Sequence, residues 1–404
     1  MTDARASLER YARHHLIDWW DQEKLLEANV VVVGAGALGN EALKLLALMG
    51  VGRIHIVDFD TIELSNLTRM VLFNEKDIGR TKAEVAAERT RQLNPDTQVT
   101  YTHGNLEYDL GWGGYKEADL VLGCLDSIDA RLSLNRICQM VGVPWMNGGI
   151  GVTEGEVSYF DPDQGACFEC TMTDSMWEQR NQRYSCGWLR SLVQEQKVPT
   201  TATIASIVAA IMVNQAFLVL HDDRKSGLGP GQRLFVCLKP YSLNVASVPR
   251  NPECYAHERI DQVTPLERGP DDVTAAEILQ LVGSSEDSYL EIMFDLAVKL
   301  TCPSCLKEEH LLVPTKSLDL TVLPCKRCGS ERKLFSTGFI ESGSQLARRK
   351  LSELSIPKKH IIAAHASGNE TCLGKPKVFS SQVAGRAHWC RYVGSNCRRH
   401  CPNV

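Results

Sequence analysis

Several features are scarce in this 404-residue chain, and each shortage removes a class of function. There is no long uninterrupted hydrophobic run. The longest apolar segment, TIASIVAAIMVNQAFLVL at 203–220, is broken by Ser206, Asn214 and Gln215. A buried helix is expected there, and no membrane contact. The opening MTDARASLERYARHH lacks a hydrophobic stretch, so no secretory leader is expected and the cytoplasm is the expected compartment. Basic residues are outnumbered: 44 Lys and Arg against 49 Asp and Glu give a net charge of -5, which argues against a generic nucleic-acid binder. No G-x-x-x-x-G-K-[ST] loop occurs, so this is not a P-loop enzyme. Internal repeats are absent too.

What is present is the composition of a soluble globular protein, 44% hydrophobic and 23% charged, at a length that suits two or three domains. The pattern predicts a helix over 6–28, a buried strand at 30–33, a turn at 34–39 and a helix at 40–49. Further strands are predicted at 53–57, 119–124 and 143–147, with a helix at 81–93. This alternation predicts a doubly wound, Rossmann-like α/β sheet. Residues 165–200 break the rhythm and read as a crossover loop, followed by a helix over 202–221 and strands at 233–238 and 242–248. The first domain is expected to close at residue 257. A Pro/Gly/Asp-rich linker, TPLERGPDD, opens a smaller α+β region over 258–365. There a helix (275–282), a strand (288–292), a zinc ribbon (300–330), and a helix and strand within LARRKLSELSIPKKHIIAAH are expected. Residues 366–404 hold six Lys/Arg, one Glu and four Cys. They read as a poorly ordered basic tail.

The run from Gly34 through Gly36 to Gly39 (GAGALG) matches a dinucleotide fingerprint. Its glycines allow a tight turn and close backbone approach to phosphate, and the following helix offers free N–H groups and a positive dipole end. Asp58 follows at the spacing of a ribose-hydroxyl ligand. Asp60, Asn66, Arg69 and Lys82 then add a polar set that a dehydrogenase would not need. Attack at the α-phosphorus of a triphosphate calls for cations on the leaving pyrophosphate, a task that suits Arg69 and Lys82. It also calls for polarised oxygens at the reacting centre, which suits Asn66. Asp126 follows an apolar strand, where a Mg²⁺-binding carboxylate would sit.

These pieces resemble the ThiF/MoeB/HesA family of the ubiquitin-activating enzyme superfamily. The matching residues are Arg10-Tyr11-x-Arg13, GAGALG, DFD-x5-SNL-x-R, G-x-x-K, Asp126, the crossover Cys pair and Arg250-Asn251-Pro252-x-Cys254, covering about 8–257. The resemblance implies ATP- and Mg²⁺-dependent adenylation of the C-terminal glycine carboxylate of a ubiquitin-like protein. Arg13, Asn66, Arg69, Lys82 and Asp126 would carry the ATP chemistry. It also implies a homodimer, because in homodimeric relatives the Arg13 equivalent reaches into the partner's site. Ala37 stands where the family usually has Gly, and Met70 where Gln is usual.

The fifteen cysteines follow metal spacing more than disulfide spacing. Cys167-x-x-Cys170 with Cys254-x-x-His257 is a candidate tetrahedral Zn²⁺ site, with His257 where the family pattern has a fourth Cys. Cys302-x-x-Cys305 with Cys325-x-x-Cys328 reads as a second, ribbon-type Zn²⁺ site. Both are expected to be structural. Cys186 (RYSCGW) lies in the crossover loop, where thioester-forming activating enzymes place their nucleophile, and Arg183 and Arg190 could lower its pKa. Cys124, Cys138 and Cys237 read as core residues. After a thioester at Cys186 the product would pass to a conjugating-enzyme-like acceptor or to sulfur transfer, with region 258–365 recruiting that partner. Two alternatives stay open: an ATP-dependent dehydratase of a small or tRNA-borne carboxylate, and an NAD-dependent oxidoreductase.

Overall fold

A computed structural model describes residues 9–177, 199–223, 225–260, 262–283, 285–365 and 377–380. The chain divides into two compact units, Met1–Leu110 with Gly114–Glu258, and Gly111–Gly113 with Arg259–Val404.

The first unit is built on eight strands: β1 (Asn29–Val33), β2 (Arg53–Asp58), β3 (Gln98–His103), β4 (Leu120–Gly123), β5 (Trp145–Ile150), β6 (Glu154–Phe160), β7 (Gln232–Leu238) and β8 (Tyr241–Ser247). Their order is β3-β2-β1-β4-β5-β6-β7-β8. The pairs from β3 to β5 are parallel and those from β5 to β8 antiparallel. β1 reads VVVV after its first residue because it lies between β2 and β4, with both faces covered. The chain leaves β1 for β2 on one side and returns as β4 on the other. That reversal opens a crevice at the carboxyl ends of β1 and β4.

The main helices of this unit are α1 (Gln22–Glu27), α2 (Ala37–Met49), α3 (Lys82–Leu93), α4 (Ile128–Val141) and α5 (Ala202–Leu220). Caps set their limits. Ser127 and Thr201 accept backbone N–H bonds at the starts of α4 and α5, while Gly50 and Gly142 end α2 and α4 in the left-handed conformation. The helix expected over 6–28 is broken into a 3-10 turn at His14–Leu16 and the short α1. The cause is local. Gln22 Oε1 collects His14 Nδ1 and Trp20 Nε1, and Asp21 caps a fresh helix start. Among the described residues α5 alone is long and apolar enough to cross a membrane, yet it packs on α2, β5 and β6 as the central core helix.

The second unit holds β9 (Thr264–Pro265), α6 (Ala275–Leu281), β10 (Tyr289–Thr301), β11 (Glu308–Pro314), β12 (Lys333–Glu341), β13 (Ile361–His365) and β14 (Lys377–Ser380). Its strand order is β11-β10-β13-β14-β9, with β12 also on β10. β10 runs far past the expected 288–292. Register shifts along it let its first part pair with β13 and its second with β11, while β12 follows both. The helix expected in LARRKLSELS is a single 3-10 turn, Leu351–Leu354, ended by Ser355 at φ 56. Its backbone is taken elsewhere: Ala276 N–H donates to Ala347 O and Leu351 N–H to Val273 O. β14 falls inside the segment read as an irregular tail and pairs with β13 and β9.

Candidate nucleotide site and metal clusters

The glycine loop is shaped by close backbone approach. A Cβ on Gly34 would lie 2.3 Å from the Cys124 carbonyl oxygen, and one on Gly39 would lie 1.9 Å from Gly34 O. Neither position tolerates a side chain. Gly36, the residue that caps α2, is different: a Cβ there meets nothing within 4 Å. The protein's own packing does not demand that glycine. It leaves open space in front of the α2 N-terminus, where a phosphate would be received.

A chain of short contacts leads outward from this loop. Asp58 Oδ2 accepts the Ala35 N–H at 2.7 Å, and Oδ1 accepts the Asp60 N–H at 2.8 Å. The carboxylate therefore ties the loop to the end of β2, and each oxygen keeps a lone pair for a hydroxyl donor. Burial pushes its pKa up, and the nearby Lys82 ammonium is the largest force in the other direction. Asp60 Oδ2 holds Lys82 Nζ at 2.6 Å. Lys82 is buried in the first turn of α3, whereas Asp60 is half exposed. The 60–62 segment is pinned against 79–82 by Ile62 N–H to Arg80 O, Gly79 N–H to Ile62 O and Lys82 N–H to Asp60 O.

Asn66 is buried in the 3-10 turn Leu64–Asn66, where its Oδ1 accepts the Glu63 N–H. Arg69 curls back to donate to Ser65 O at 2.8 Å. Asp126 is exposed just past β4, at the edge where Cys124 N–H reaches Val33 O. The structure thus links Asp58, Asp60 and Lys82 by direct bonds and ties them through the Ala35 N–H to the loop of Gly34, Gly36 and Gly39, with Asp126 at the neighbouring strand end. Arg13 is not joined to them. It is exposed, and it forms no ion pair among the described residues. Cys186, Arg183 and Arg190 lie outside the described residues. Cys124 and Cys138 behave as core thiols, with burial pushing Cys124 up to about 12.

One contributor has no motif to announce it. Asn40, fully buried in α2, donates through Nδ2 to Ala35 O at 2.7 Å and Gly36 O at 3.1 Å, and accepts the Leu72 N–H at 3.0 Å. It locks the glycine loop to the segment that carries Asn66 and Arg69. Its only signal in the sequence is a polar residue amid an apolar helix directly after Gly39.

Two clusters could hold metal ions: Cys167, Cys170, Cys254 and His257, and Cys302, Cys305, Cys325 and Cys328. In each, the four ligand atoms lie within 4.8 Å of one another. Cys167 Sγ is 3.7 Å from both Cys170 Sγ and Cys254 Sγ, and Cys305 Sγ is 3.7 Å from Cys325 Sγ. A tetrahedron with Zn–S bonds of about 2.3 Å has edges of about 3.8 Å, so this spacing fits the ion. All described cysteines are free thiols.

The ThiF family model matches residues 8–256. The chain belongs to the ThiF family. The ThiF match takes in the whole nucleotide site and stops one residue short of His257, leaving the second unit outside. A similar protein is the SAMP-activating enzyme E1 of Haloferax volcanii, 37% identical over 256 residues, which are 61% of this chain and 87% of that one. The sulfur carrier protein ThiS adenylyltransferase of Escherichia coli is 35% identical over 179 residues, 43% of this chain and 71% of that protein. SUMO-activating enzyme subunit 2 of Dictyostelium discoideum is 39% identical over 166 residues, but the match spans 25% of its length. The solved structure of E. coli MccB with ATP gives a TM-score of 0.51 at 24% identity, covering 61% of this chain and 74% of that one. That likeness is one of fold.

Proposed function

We propose that this ThiF-family protein is an ATP-dependent activating enzyme for a ubiquitin-like protein. The observation that carries the reading is the bonded path from the glycine loop through Asp58 and Asp60 to Lys82. A buried cation linked through two carboxylates to a loop with open space at its helix N-terminus supports a triphosphate site there. An oxidoreductase reading leaves that cation without a task.

In this reading the α2 N-terminus and the loop N–H groups receive the triphosphate, and Asp58 accepts from the ribose. Lys82 leaves Asp60 for the β- and γ-phosphates, Arg69 adds a second charge there, and Asn66 donates to the α-phosphate. Asp126 would hold Mg²⁺, which supplies further neutralisation of phosphate charge when bound. A carboxylate oxygen of the modifier's terminal glycine attacks the α-phosphorus. The bond from that phosphorus to the β-bridging oxygen breaks, and pyrophosphate leaves. The Cys186 thiolate then attacks the acyl carbon, expels AMP and forms a thioester for transfer to an acceptor thiol. Arg13 completes the site of the second copy in a homodimer. Both cysteine clusters hold structural Zn²⁺, since four protein ligands leave no open position.

ATP–pyrophosphate exchange that depends on a candidate ubiquitin-like protein tests the adenylation step, and no exchange with any such protein would reject it. An adduct released by thiol reductant and absent from Cys186→Ala tests the thioester. Mixing Arg13→Ala with Lys82→Ala chains tests the shared site, because one intact site should return in the heterodimer.

A further inference from the structure

α4 carries an unusual polar stripe. Arg131, Asn135 and Gln139 recur at four-residue spacing, and all three carry buried N–H groups with no hydrogen-bond partner among the described residues: Arg131 Nε, Asn135 Nδ2 and Gln139 Nε2. The sheet answers with a polar patch. Its register sets Asn147 opposite Ser158, Ser158 opposite Arg233 and Gly149 opposite Glu156, so these positions share one face.

Glu156 is the hub. Asn147 Nδ2 donates to its Oε1 at 2.9 Å, and Arg233 pairs with its Oε2. The Arg233 guanidinium also lies 5.2 Å from the Phe235 ring centre. Gly149 makes room beside it: a Cβ there would lie 2.9 Å from Glu156 Cγ and 3.4 Å from Arg131 Nη2. Arg131 in turn donates through Nη2 to Leu125 O at 2.8 Å, one residue before Asp126. Glu156 and Asp126 are the two carboxylates whose fields act on Arg131, Glu156 the more strongly. Arg131 Nη2 and Glu156 Oε1 each lie 3.4 Å from that same point beside Gly149, so the carboxylate that pairs with Arg233 also borders Arg131 without bonding to it, in a mostly buried layer where such charges are costly without partners.

We propose that Glu156 is a positioning residue of the nucleotide site: it holds Arg131, and through Arg131 the turn that carries Asp126. Without the Glu156 charge, Arg131 is repelled by Arg233 and its remaining carboxylate is Asp126. An Arg131–Asp126 pair would compete with the divalent cation. The proposal rests on the reading of Asp126 as the Mg²⁺ carboxylate.

The test uses the full chain and needs no turnover. Binding of a non-hydrolysable ATP analogue is measured across a Mg²⁺ titration, and amide hydrogen exchange of 125–131 is followed in the nucleotide-free protein. Glu156→Gln is expected to raise the Mg²⁺ midpoint at least tenfold, leave binding without Mg²⁺ unchanged and speed exchange in 125–131. Glu156→Asp should recover part of both. Gly149→Ala, which keeps every charge and wedges the pair apart, should shift both readouts the same way and guards against a misfolded Glu156 variant. An unchanged midpoint and unchanged exchange in Gly149→Ala and in folded Glu156→Gln overturn the proposal. Asp126→Asn separates the two readings. If it leaves the Mg²⁺ midpoint alone, the metal assignment has failed, while faster exchange in Glu156→Gln still supports the positioning role.

Discussion

The two clusters offer kindred ligand sets, three Cys with one His and four Cys, on very different stretches of chain. In the second unit, Cys302 and Cys328 are 26 residues apart. Each of its pairs sits in a backbone knuckle that is already closed, by Leu306 N–H to Cys302 O at 2.9 Å and by Gly329 N–H to Cys325 O at 2.8 Å. In the first unit, Cys167 and Cys254 are 87 residues apart. The strands β7 and β8 and the helix α5 lie between them in sequence. The first cluster staples the ends of a long excursion, and the second finishes two local turns. Closing a long loop removes more freedom from the unfolded chain than closing a short one. Loss of metal should therefore damage the first unit most.

The largest expected effect separates chemistry from staple. Lys82→Ala should lower ATP–pyrophosphate exchange by about a hundredfold or more, as removal of a transition-state charge contact does. Cys325→Ser should leave exchange near the wild-type rate and slow only transfer to the acceptor. Equal loss of exchange in both variants would erase the contrast between the units. Next comes metal removal. A structural zinc contributes about 10–16 kcal/mol of binding free energy to the folded state. Cys254→Ser should forfeit several kcal/mol of this in the first unit, seen as loss of one zinc by elemental analysis and a lower, earlier melting transition than Cys325→Ser. A smaller effect is expected from Asn40→Ala, which strips the side-chain partner from Ala35 O and Leu72 N–H while Gly36 O keeps the backbone N–H of residue 40. Unsatisfied buried groups cost about 1–3 kcal/mol, so a melting shift and about a tenfold weaker ATP affinity should appear together. Leu306→Gly should do least. Leu306 holds φ 57 with its side chain 77% exposed, the same left-handed place that Gly329 takes in the other knuckle. Relief of that strain, set against added unfolded-state freedom, should leave stability within about 1 kcal/mol of wild type, on the stabilising side. A loss above about 2 kcal/mol in urea unfolding would show that the leucine packs on something.

How legible the chain is depends on where burial and polarity agree. β1, α2, β2 and α5 are plain in the sequence because their buried faces are mostly apolar, Asn40, Glu41 and Gln215 being the exceptions in the two helices. β3 (QVTYTH) is the outer strand of its sheet and mostly exposed, so only Val99 of its short alternation is buried and the segment stays inconspicuous. α4 is harder still. Its buried face includes Asn135 and Gln139, which inverts the pattern that marks an amphipathic helix. β6 opens Glu-Gly-Glu for the same reason, since Glu156 serves the polar layer. The site is legible where a motif names its chemistry, as for the glycines, Asp58 and Lys82. It is not legible at Asn40, whose partners are backbone atoms made neighbours only by the fold. In the second unit, the helix expected near 346–355 loses to backbone pairing with 273–276, a contact no local propensity encodes.

The long reach of the first cluster also dictates a timetable at the ribosome. Chains emerge at about 5–20 residues per second. Cys167 and Cys170 therefore wait on the order of ten seconds before Cys254 and His257 exist to complete the proposed ligand set. The nascent adenylation unit must hold an open thiol pair through that interval. The ribbon, whose pairs emerge in quick succession, is complete almost as soon as it is made.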